Sequence, residues 1–116
     1  MVPSPDTDVV ITNAVLQWVP THRQLLTRWV DALPSGAWFA MQVPGNLGAP
    51  SHALIRELVA EPRWRGSVEV RGELAVAEPA EYAELFAAHA VDVDVWETTY
   101  LQRLTGEDPV LQWVSG

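Results

Sequence analysis

Two polar turns in this chain carry residue types that could hold a small ligand. The first follows an apolar segment at residues 8–13, DVVITN, and it contains Asn13 and Ala14, with Gln17 and Trp18 close behind. In an open α/β sheet, ligands bind just past the carboxyl end of such a strand. This turn is therefore predicted to form one part of the rim of a binding site.

The second turn follows another apolar segment, AWFAMQV at residues 37–43. Gln42 lies near the end of that segment, and Pro44, Gly45 and Asn46 then break it sharply. Backbone amides and amide side chains at such a turn can donate hydrogen bonds to a polar ligand. We predict that this turn lies on the same rim as the first.

A helix between the two segments is expected to bring the turns together. Thr21 and Gln24 match a capping box, and apolar residues from Leu25 to Leu33 recur at helical spacing until the proline and glycine at residues 34–36 end the pattern. The second strand is nearly all apolar, which is typical of a strand covered on both faces. Strand, helix and strand predict one parallel βαβ unit with a right-handed crossover.

Three more helices and one more strand are predicted in the rest of the chain. Ser51 is expected to cap the second helix, Pro79 to open the third and Pro109 to open a short final one. Alternating apolar and polar residues at 91–100 predict a half-exposed strand, and residues 68–70 a short extended piece. This order favours an α/β doubly wound sheet. Three strands are few for that architecture, so the chain is expected to be part of a larger domain.

The composition excludes several kinds of chemistry. The 116 residues contain no cysteine and no lysine, which excludes a thiol nucleophile, a disulfide framework and a lysine Schiff base. A net charge of −8 without a basic run is unsuited to nucleic acid, because phosphate neutralisation dominates that binding. No apolar run is long enough to span a bilayer, and no basic-then-apolar leader follows Met1. A soluble, cytoplasmic protein is expected.

The histidines and charged residues give no stronger candidates. His22, His52 and His89 are too far apart in sequence to predict a metal site, and His22, near a helix start, is expected to face solvent. The aspartate pairs at positions 6 and 8 and at 92 and 94 are expected on exposed faces. Some arginines could fork onto a polycarboxylate, although a solvated surface charge is the commoner role: Arg63, Arg65, Arg71 and Arg103.

Three stretches give the chain a family resemblance: ITNAVLQWVPTH, WFAMQVPGN and VDVWETTYLQRLTGEDPVLQWVSG. In this order and spacing they resemble the trans-aconitate 2-methyltransferases, class I methyltransferases that use S-adenosylmethionine. The resemblance implies a Rossmann-like methyltransferase sheet that is incomplete, with residues 8–13, 37–43 and 91–100 as strands four to six with their helices. The chain, 1–116, would be a single partial methyltransferase domain lacking the N-terminal cofactor-binding strands and the last strand.

The family's glycine-rich turn has no match in this sequence. Methyltransferases of this class hold the cofactor with such a turn after the first strand, whereas no Gly-x-Gly occurs here. In the family the last strand lies between the fifth and the sixth, so its absence would leave a gap in the sheet. The chain is then open to self-association through its exposed sheet edges.

The resemblance also implies roles for the first turn. Asn13, Ala14, Gln17 and Trp18 would lie beside the methionine and sulfonium portion of S-adenosylmethionine. Backbone carbonyls would line the methyl donor, and Gln17 or Trp18 would close the wall. The alternative is structural: Asn13 caps a helix and Trp18 packs.

A substrate pocket is expected around the second turn. It would use the amides of Gly45 and Asn46 together with Gln42 and Pro44, unless these residues form an ordinary turn. Trp96 and Tyr100 are candidates for the wall on the acceptor side, although aromatic residues on a strand usually belong to the core.

Methyl transfer to a carboxylate requires alignment of donor and acceptor and no strong base, because a carboxylate is already nucleophilic near neutral pH. The favoured hypothesis is an O-methyltransferase of a small polycarboxylate, forming the monomethyl ester of trans-aconitate, with no catalytic acid–base residue and no metal. One alternative is malonyl-carrier-protein O-methyltransferase, which has a similar strand-four string. Another is a truncated, non-catalytic fragment that pairs its exposed edge with another chain.

Overall fold

A two-stranded parallel sheet and four helices make up the described part of the chain. The structure is a computed structural model and describes residues 2–68 and 76–115. The elements are β1 (Val9–Asn13), α1 (His22–Ala32), β2 (Trp38–Gln42), α2 (Pro50–Ala60), α3 (Pro79–Ala87) and α4 (Pro109–Ser115). One turn of 3₁₀ helix, Leu16–Trp18, lies between β1 and α1. The predicted α/β class and the parallel βαβ unit are confirmed.

The two strands pair in parallel along their full length, with Val9 opposite Trp38 and Asn13 opposite Gln42. The amide of Ala14 donates to the Gln42 carbonyl at 3.0 Å and extends the ladder past the end of β1. Helix α1 supplies the long connection that parallel strands require. Both strands consequently end at the same level of the sheet.

The core lies on one face of the sheet. Phe39 of β2 packs between Trp29 of α1 and Phe86 of α3, with ring centroids 6.4 and 5.6 Å away. Met41, two residues further along β2, points to the same side because side chains alternate along a strand. The buried apolar residues at the centre are Leu16, Leu26 and Tyr82.

The opposite face of the sheet is open. Val9, Ile11 and Trp38 point to it and are 52%, 75% and 70% exposed. Ala40 shares this exposed face. The prediction that β2 is covered on both faces is therefore wrong for the described residues, because α1 and α3 both pack on the side that holds Phe39.

No strand forms at residues 91–100, so the prediction of a third strand is also wrong. The alternating pattern is present in the sequence, but a strand needs a neighbouring backbone to pair its N–H and C=O groups. Within the described residues the sheet consists of β1 and β2, and neither pairs with this segment. The described sheet therefore has two strands, not three.

The predicted helix starts agree with the structure better than the predicted capping residues do. Helix α1 begins directly after Thr21, but the Thr21 side chain makes no capping hydrogen bond, so the predicted capping box is wrong. Ser51 is not a cap either, because α2 starts at Pro50 with Ala49 before it.

The helices that open with proline are confirmed. Pro79 starts α3, where the side chains of Glu78 and Glu81 form a capping box. Pro109 starts α4. The extended piece predicted at residues 68–70 lies mostly outside the described residues.

Candidate functional site

The carboxyl ends of β1 and β2 meet at Asn13 and Gln42, the last register pair of the sheet. Register partners in parallel strands point to the same face, and both residues are exposed. The structure thus brings the two predicted turns side by side at the carboxyl end of the sheet. The ligand roles of their residues stay predictions.

Ala14 holds the first turn in a left-handed backbone conformation, with φ 52°. This conformation costs an L-residue about 1–2 kcal/mol, because Cβ crowds the neighbouring carbonyl. The Ala14 amide donates to Gln42, and its carbonyl accepts a hydrogen bond from Gln17 Nε2 at 2.8 Å. One of the two lone pairs of this carbonyl is therefore used within the chain, and the left-handed conformation sets the shape of the turn.

Gln17 lies behind this turn and is 5% exposed. Its Nε2 bonds to Ala14, whereas its Oε1 is buried without a hydrogen-bond partner among the described residues. An unpaired buried acceptor costs about 1–3 kcal/mol. Gln17 Oε1 is therefore an acceptor that no donor of the described residues satisfies, and the neighbouring Trp18 is half exposed.

The turn after β2 carries two backbone donors. Within residues 2–68 and 76–115, the amides of Gly45 and Asn46 make no hydrogen bond, while the Asn46 carbonyl accepts from Ala49 at 2.9 Å. A Cβ built on Gly45 would lie 3.8 Å from Glu97 Oε2, so the segment at 91–100 passes this turn. Two adjacent amides suit a carboxylate oxygen.

Trp96 and Tyr100 lie on that passing segment and are 73% and 80% exposed. Neither belongs to the described core, so the alternative that they are core aromatics is wrong for this structure. They are available to cover a ligand at the second turn.

The candidate arginines are largely engaged elsewhere. Arg63 pairs with Glu61 at 2.8 Å and lies over the Trp64 ring. Arg65 donates a long hydrogen bond to the carbonyl of Ala60 at 3.5 Å. Arg103 is exposed. Arg71 lies outside the described residues.

His22 is buried, and the prediction that it faces solvent is wrong. Its Nδ1 lies 3.0 Å from the Val19 carbonyl and its Nε2 lies 2.8 Å from the Tyr82 hydroxyl. A carbonyl can only accept, so Nδ1 carries the proton and Nε2 accepts from the hydroxyl. The Tyr82 oxygen in turn accepts from the Ala77 amide at 3.2 Å.

Sequence reasoning assigned no site role to Glu97 or to His52. Glu97 lies beside Gly45, which no local pattern indicates. His52 is in the first turn of α2, and its Nε2 is buried without a partner among the described residues.

Two shallow clefts lie away from the paired turns. One, of about 210 Å³, lies between the starts of α1 and α3 and is lined by Pro20, His22, Arg23, Val76, Ala77 and Glu81. The other, of about 200 Å³, is lined by Val2, Pro3, Thr7, Val10 and Trp29. Neither of these two clefts includes a residue of the two turns.

Two features are absent from residues 2–68 and 76–115. These residues contain no group of three or more His, Asp or Glu side chains placed to hold a metal ion. None of their helices has the length and apolar character needed to cross a membrane.

Comparison with known proteins extends the resemblance. No protein-family model matches the chain. The chain is 58% identical to "Trans-aconitate 2-methyltransferase" of Rhodococcus jostii (strain RHA1), over 98% of the chain and 46% of that relative. It is 53% identical to the protein of that name in Mycobacterium tuberculosis (strain ATCC 25177 / H37Ra), over 98% of the chain and 45% of the relative.

A third relative of the same name, from Mycobacterium sp. (strain KMS), is 50% identical over 98% of the chain and 46% of its own length. The chain thus spans a little under half the length of the curated relatives it matches. Along nearly its whole length, this chain is similar to part of the trans-aconitate 2-methyltransferases, as its motifs predicted.

Proposed function

We propose that this chain forms part of the active site of an S-adenosylmethionine-dependent O-methyltransferase, which converts the small polycarboxylate trans-aconitate to its monomethyl ester. The register pair of Asn13 and Gln42 carries the proposal, because it sets two polar turns side by side at one end of a parallel sheet. Relatives named for this activity support it. The chain corresponds to a partial domain in which β1 and β2 are strands four and five, and residues 91–100 occupy the place of strand six.

The first turn fits one end of the cofactor. Gln17 Oε1 is a buried acceptor without a described partner, and it suits a donor such as the ammonium group of the methionine portion. Asn13 and Trp18 are exposed beside it, and the left-handed Ala14 fixes the backbone between them. The Ala14 carbonyl accepts from Gln17 and keeps a second lone pair, so backbone carbonyls of this turn can also line the methyl donor, as the resemblance implies.

When bound beside the first turn, S-adenosylmethionine would supply an electrophilic methyl group for transfer to a carboxylate oxygen, with the electron pair of the carbon–sulfur bond left on sulfur. The acceptor carboxylate is ionised near neutral pH, so no group of the chain has to remove a proton. This agrees with the absence of ionisable residues among Asn13, Ala14, Gln17 and Trp18.

The second turn orients the acceptor. The amides of Gly45 and Asn46 donate to a non-reacting carboxylate, Gln42 adds a side-chain amide at the same edge, and Pro44 fixes the turn. Trp96 and Tyr100 cover the ligand and exclude water. Alignment of this kind can supply several kcal/mol, on the order of 7–11 where the geometry is ideal.

A chimaeric enzyme tests this proposal. The part of the Rhodococcus jostii relative that has no counterpart in this chain is joined to the 116 residues, and methyl transfer is measured with trans-aconitate and with a malonyl carrier thioester. We expect the trans-aconitate ester from the chimaera and no activity from the chain alone. Gln42→Ala should raise the KM for trans-aconitate, while Gln112→Ala in α4 should not. A chimaera that binds S-adenosylmethionine but methylates only the thioester, or neither substrate, contradicts the proposal.

A further inference from the structure

Val19 ends the 3₁₀ turn that carries Gln17 and Trp18, and His22 holds Val19 from behind. The Val19 amide donates to the Leu16 carbonyl at 3.0 Å. The Val19 carbonyl accepts two hydrogen bonds, one from the backbone amide of His22 and one from His22 Nδ1, each at 3.0 Å. Both polar backbone groups of Val19 are therefore hydrogen-bonded, and the turn has a fixed end.

The two ends of the hydrogen-bond series through His22 are backbone groups whose polarity cannot change. The Ala77 amide can only donate, and the Val19 carbonyl can only accept. Between them the Tyr82 hydroxyl accepts from Ala77 and donates to His22 Nε2, which leaves the proton of the ring on Nδ1. The ring of His22 is consequently held in one tautomer and one orientation by α3.

Burial makes this arrangement strict. His22 is 1% exposed and Tyr82 is 5% exposed, so bulk water cannot replace a partner that either side chain loses. A displacement of α3 therefore has to be followed by the His22 ring and by the Val19 carbonyl. An apolar side chain at position 22 would fill the same space without orienting that carbonyl.

The docking of α1 on α3 does not depend on His22 alone. At the far ends of the two helices, His89 Nδ1 lies 2.8 Å from Asp31 Oδ1. Near the helix starts, Arg23 and Glu81 form a half-exposed ion pair at 3.1 Å. Of these described contacts between the two helices, the one through the His22 ring continues to the first turn.

We propose that His22 is a positioning residue for the first turn, and that α3 sets the place of Gln17 and Trp18 through Tyr82 and the His22 ring. The proposal rests on the proposed function in one respect, namely that the first turn receives the methionine portion of S-adenosylmethionine. His22 acts on this site through the Val19 carbonyl and not by touching the cofactor. Small displacements of such a wall weaken binding and transfer, because both depend on alignment.

Two substitutions at position 22 separate positioning from stability, because each keeps one half of the ring. His22→Asn places a side-chain amide near the position of Nδ1, where it can donate to Val19. His22→Gln reaches the position of Nε2, where it can accept from Tyr82. Each variant loses one buried hydrogen bond, so the two are matched in what they remove from the fold. His89→Gln, at the far ends of α1 and α3, is the control for helix docking.

Hydrogen exchange, followed by NMR in the 116-residue chain, tests the position of the turn directly. We expect the amides of Trp18 and Val19 to exchange about tenfold faster in His22→Gln than in His22→Asn. In the chimaera, calorimetry should show S-adenosylmethionine binding about tenfold weaker in His22→Gln, the size of a lost hydrogen bond. Binding in His22→Asn and in His89→Gln should stay within about threefold of the parent.

Equal affinity for S-adenosylmethionine in the two position-22 variants would overturn the proposal, and so would equal exchange at Trp18 and Val19. Weaker binding in all three variants would overturn it as well, because it would assign His22 to helix docking alone. Exchange is measured without cofactor or substrate, so it decides the role of His22 even if the chimaera forms no ester. A chimaera with the expected order of affinities and no ester of trans-aconitate would contradict the proposed function and leave this inference standing.

Discussion

The Nε2 atom of His22 lies 2.8 Å from the Tyr82 hydroxyl oxygen, a contact that joins the start of α1 to α3 across 60 residues of sequence. It belongs to a series of hydrogen bonds that runs from the Ala77 amide through the Tyr82 hydroxyl and His22 to the Val19 carbonyl. Every donor in the series has an acceptor, so burial leaves none of these groups unpaired. Such fully paired networks fix how two helices meet.

Tyr82→Phe should destabilise the chain. The change removes the hydroxyl and leaves both His22 Nε2 and the Ala77 amide without their partner, at a cost of about 1–3 kcal/mol in the free energy of unfolding. Urea denaturation of the 116-residue chain measures the loss. Tyr100→Phe, at an exposed position, is the control and should stay within about 0.5 kcal/mol of the parent. Equal stability of the two variants would show that the network contributes nothing.

Acid should remove a contribution from Glu81. A hydrogen bond from the Glu78 amide, with help from Arg23, holds the pKa of Glu81 below its ordinary value of 4.5. Because the pKa is lower in the folded chain, ionised Glu81 stabilises the fold above pH 4.5, and this contribution is lost as pH falls through the folded pKa.

Glu81→Gln should therefore be less stable than the parent near neutral pH, and the two should converge in acid. Urea midpoints measured from neutral pH down to about pH 3 check this, since that range spans carboxyl titration. Glu84→Gln, on the same helix and without a described hydrogen bond, is the control and should follow the parent throughout. A gap between Glu81→Gln and the parent that stays constant into acid would contradict the prediction.

Ala14→Gly should stabilise the chain. Glycine removes the left-handed strain of about 1–2 kcal/mol, and it loses about 0.4–1 kcal/mol through the freedom of the unfolded chain. A net gain of about 0.5 kcal/mol is expected in urea denaturation. Ala40→Gly in β2 is the matched control and should lose about 0.5–1 kcal/mol. Destabilisation by both changes would show that Ala14 is not strained.

The elements predicted well from sequence are those decided by local pattern. β1, α1, β2 and α3 follow from apolar spacing and proline, and the structure contains all four. The segment at 91–100 has the pattern of a strand and does not form one, because pairing depends on a second strand that a local pattern cannot supply. The exposed face of β2 has the same origin: its apolar residues indicate burial on both faces, whereas within the described residues helices pack on only one face.

The features of the candidate site also separate into those that local sequence predicts and those that it does not. The two turns were predicted because each follows a strand, and parallel pairing brings Asn13 and Gln42 together. The burial of His22 could not be predicted, because its partner Tyr82 lies 60 residues away. The Gln17 Nε2 hydrogen bond ends on the carbonyl of the left-handed Ala14, whose conformation the residue type argues against.

Gln17→Met should separate a structural role from a functional one. In the isolated chain the change removes an unpaired acceptor together with one hydrogen bond, so stability should move by less than about 1 kcal/mol. In the chimaera, calorimetry should show weaker binding of S-adenosylmethionine by about tenfold, the size of a lost hydrogen bond to a charged group. Gln112→Met in α4 is the control for both measurements. Unchanged affinity in Gln17→Met would remove Gln17 from the cofactor site.

The exposed aromatic rings give this chain a built-in optical signal. Of its six tryptophans, five are substantially exposed. Indole emits at longer wavelength in water than in an apolar environment, so the intrinsic fluorescence of the chain alone is that of hydrated indole. Trp38 lies on the open face of the sheet, and covering that face would move the emission towards the blue without any label.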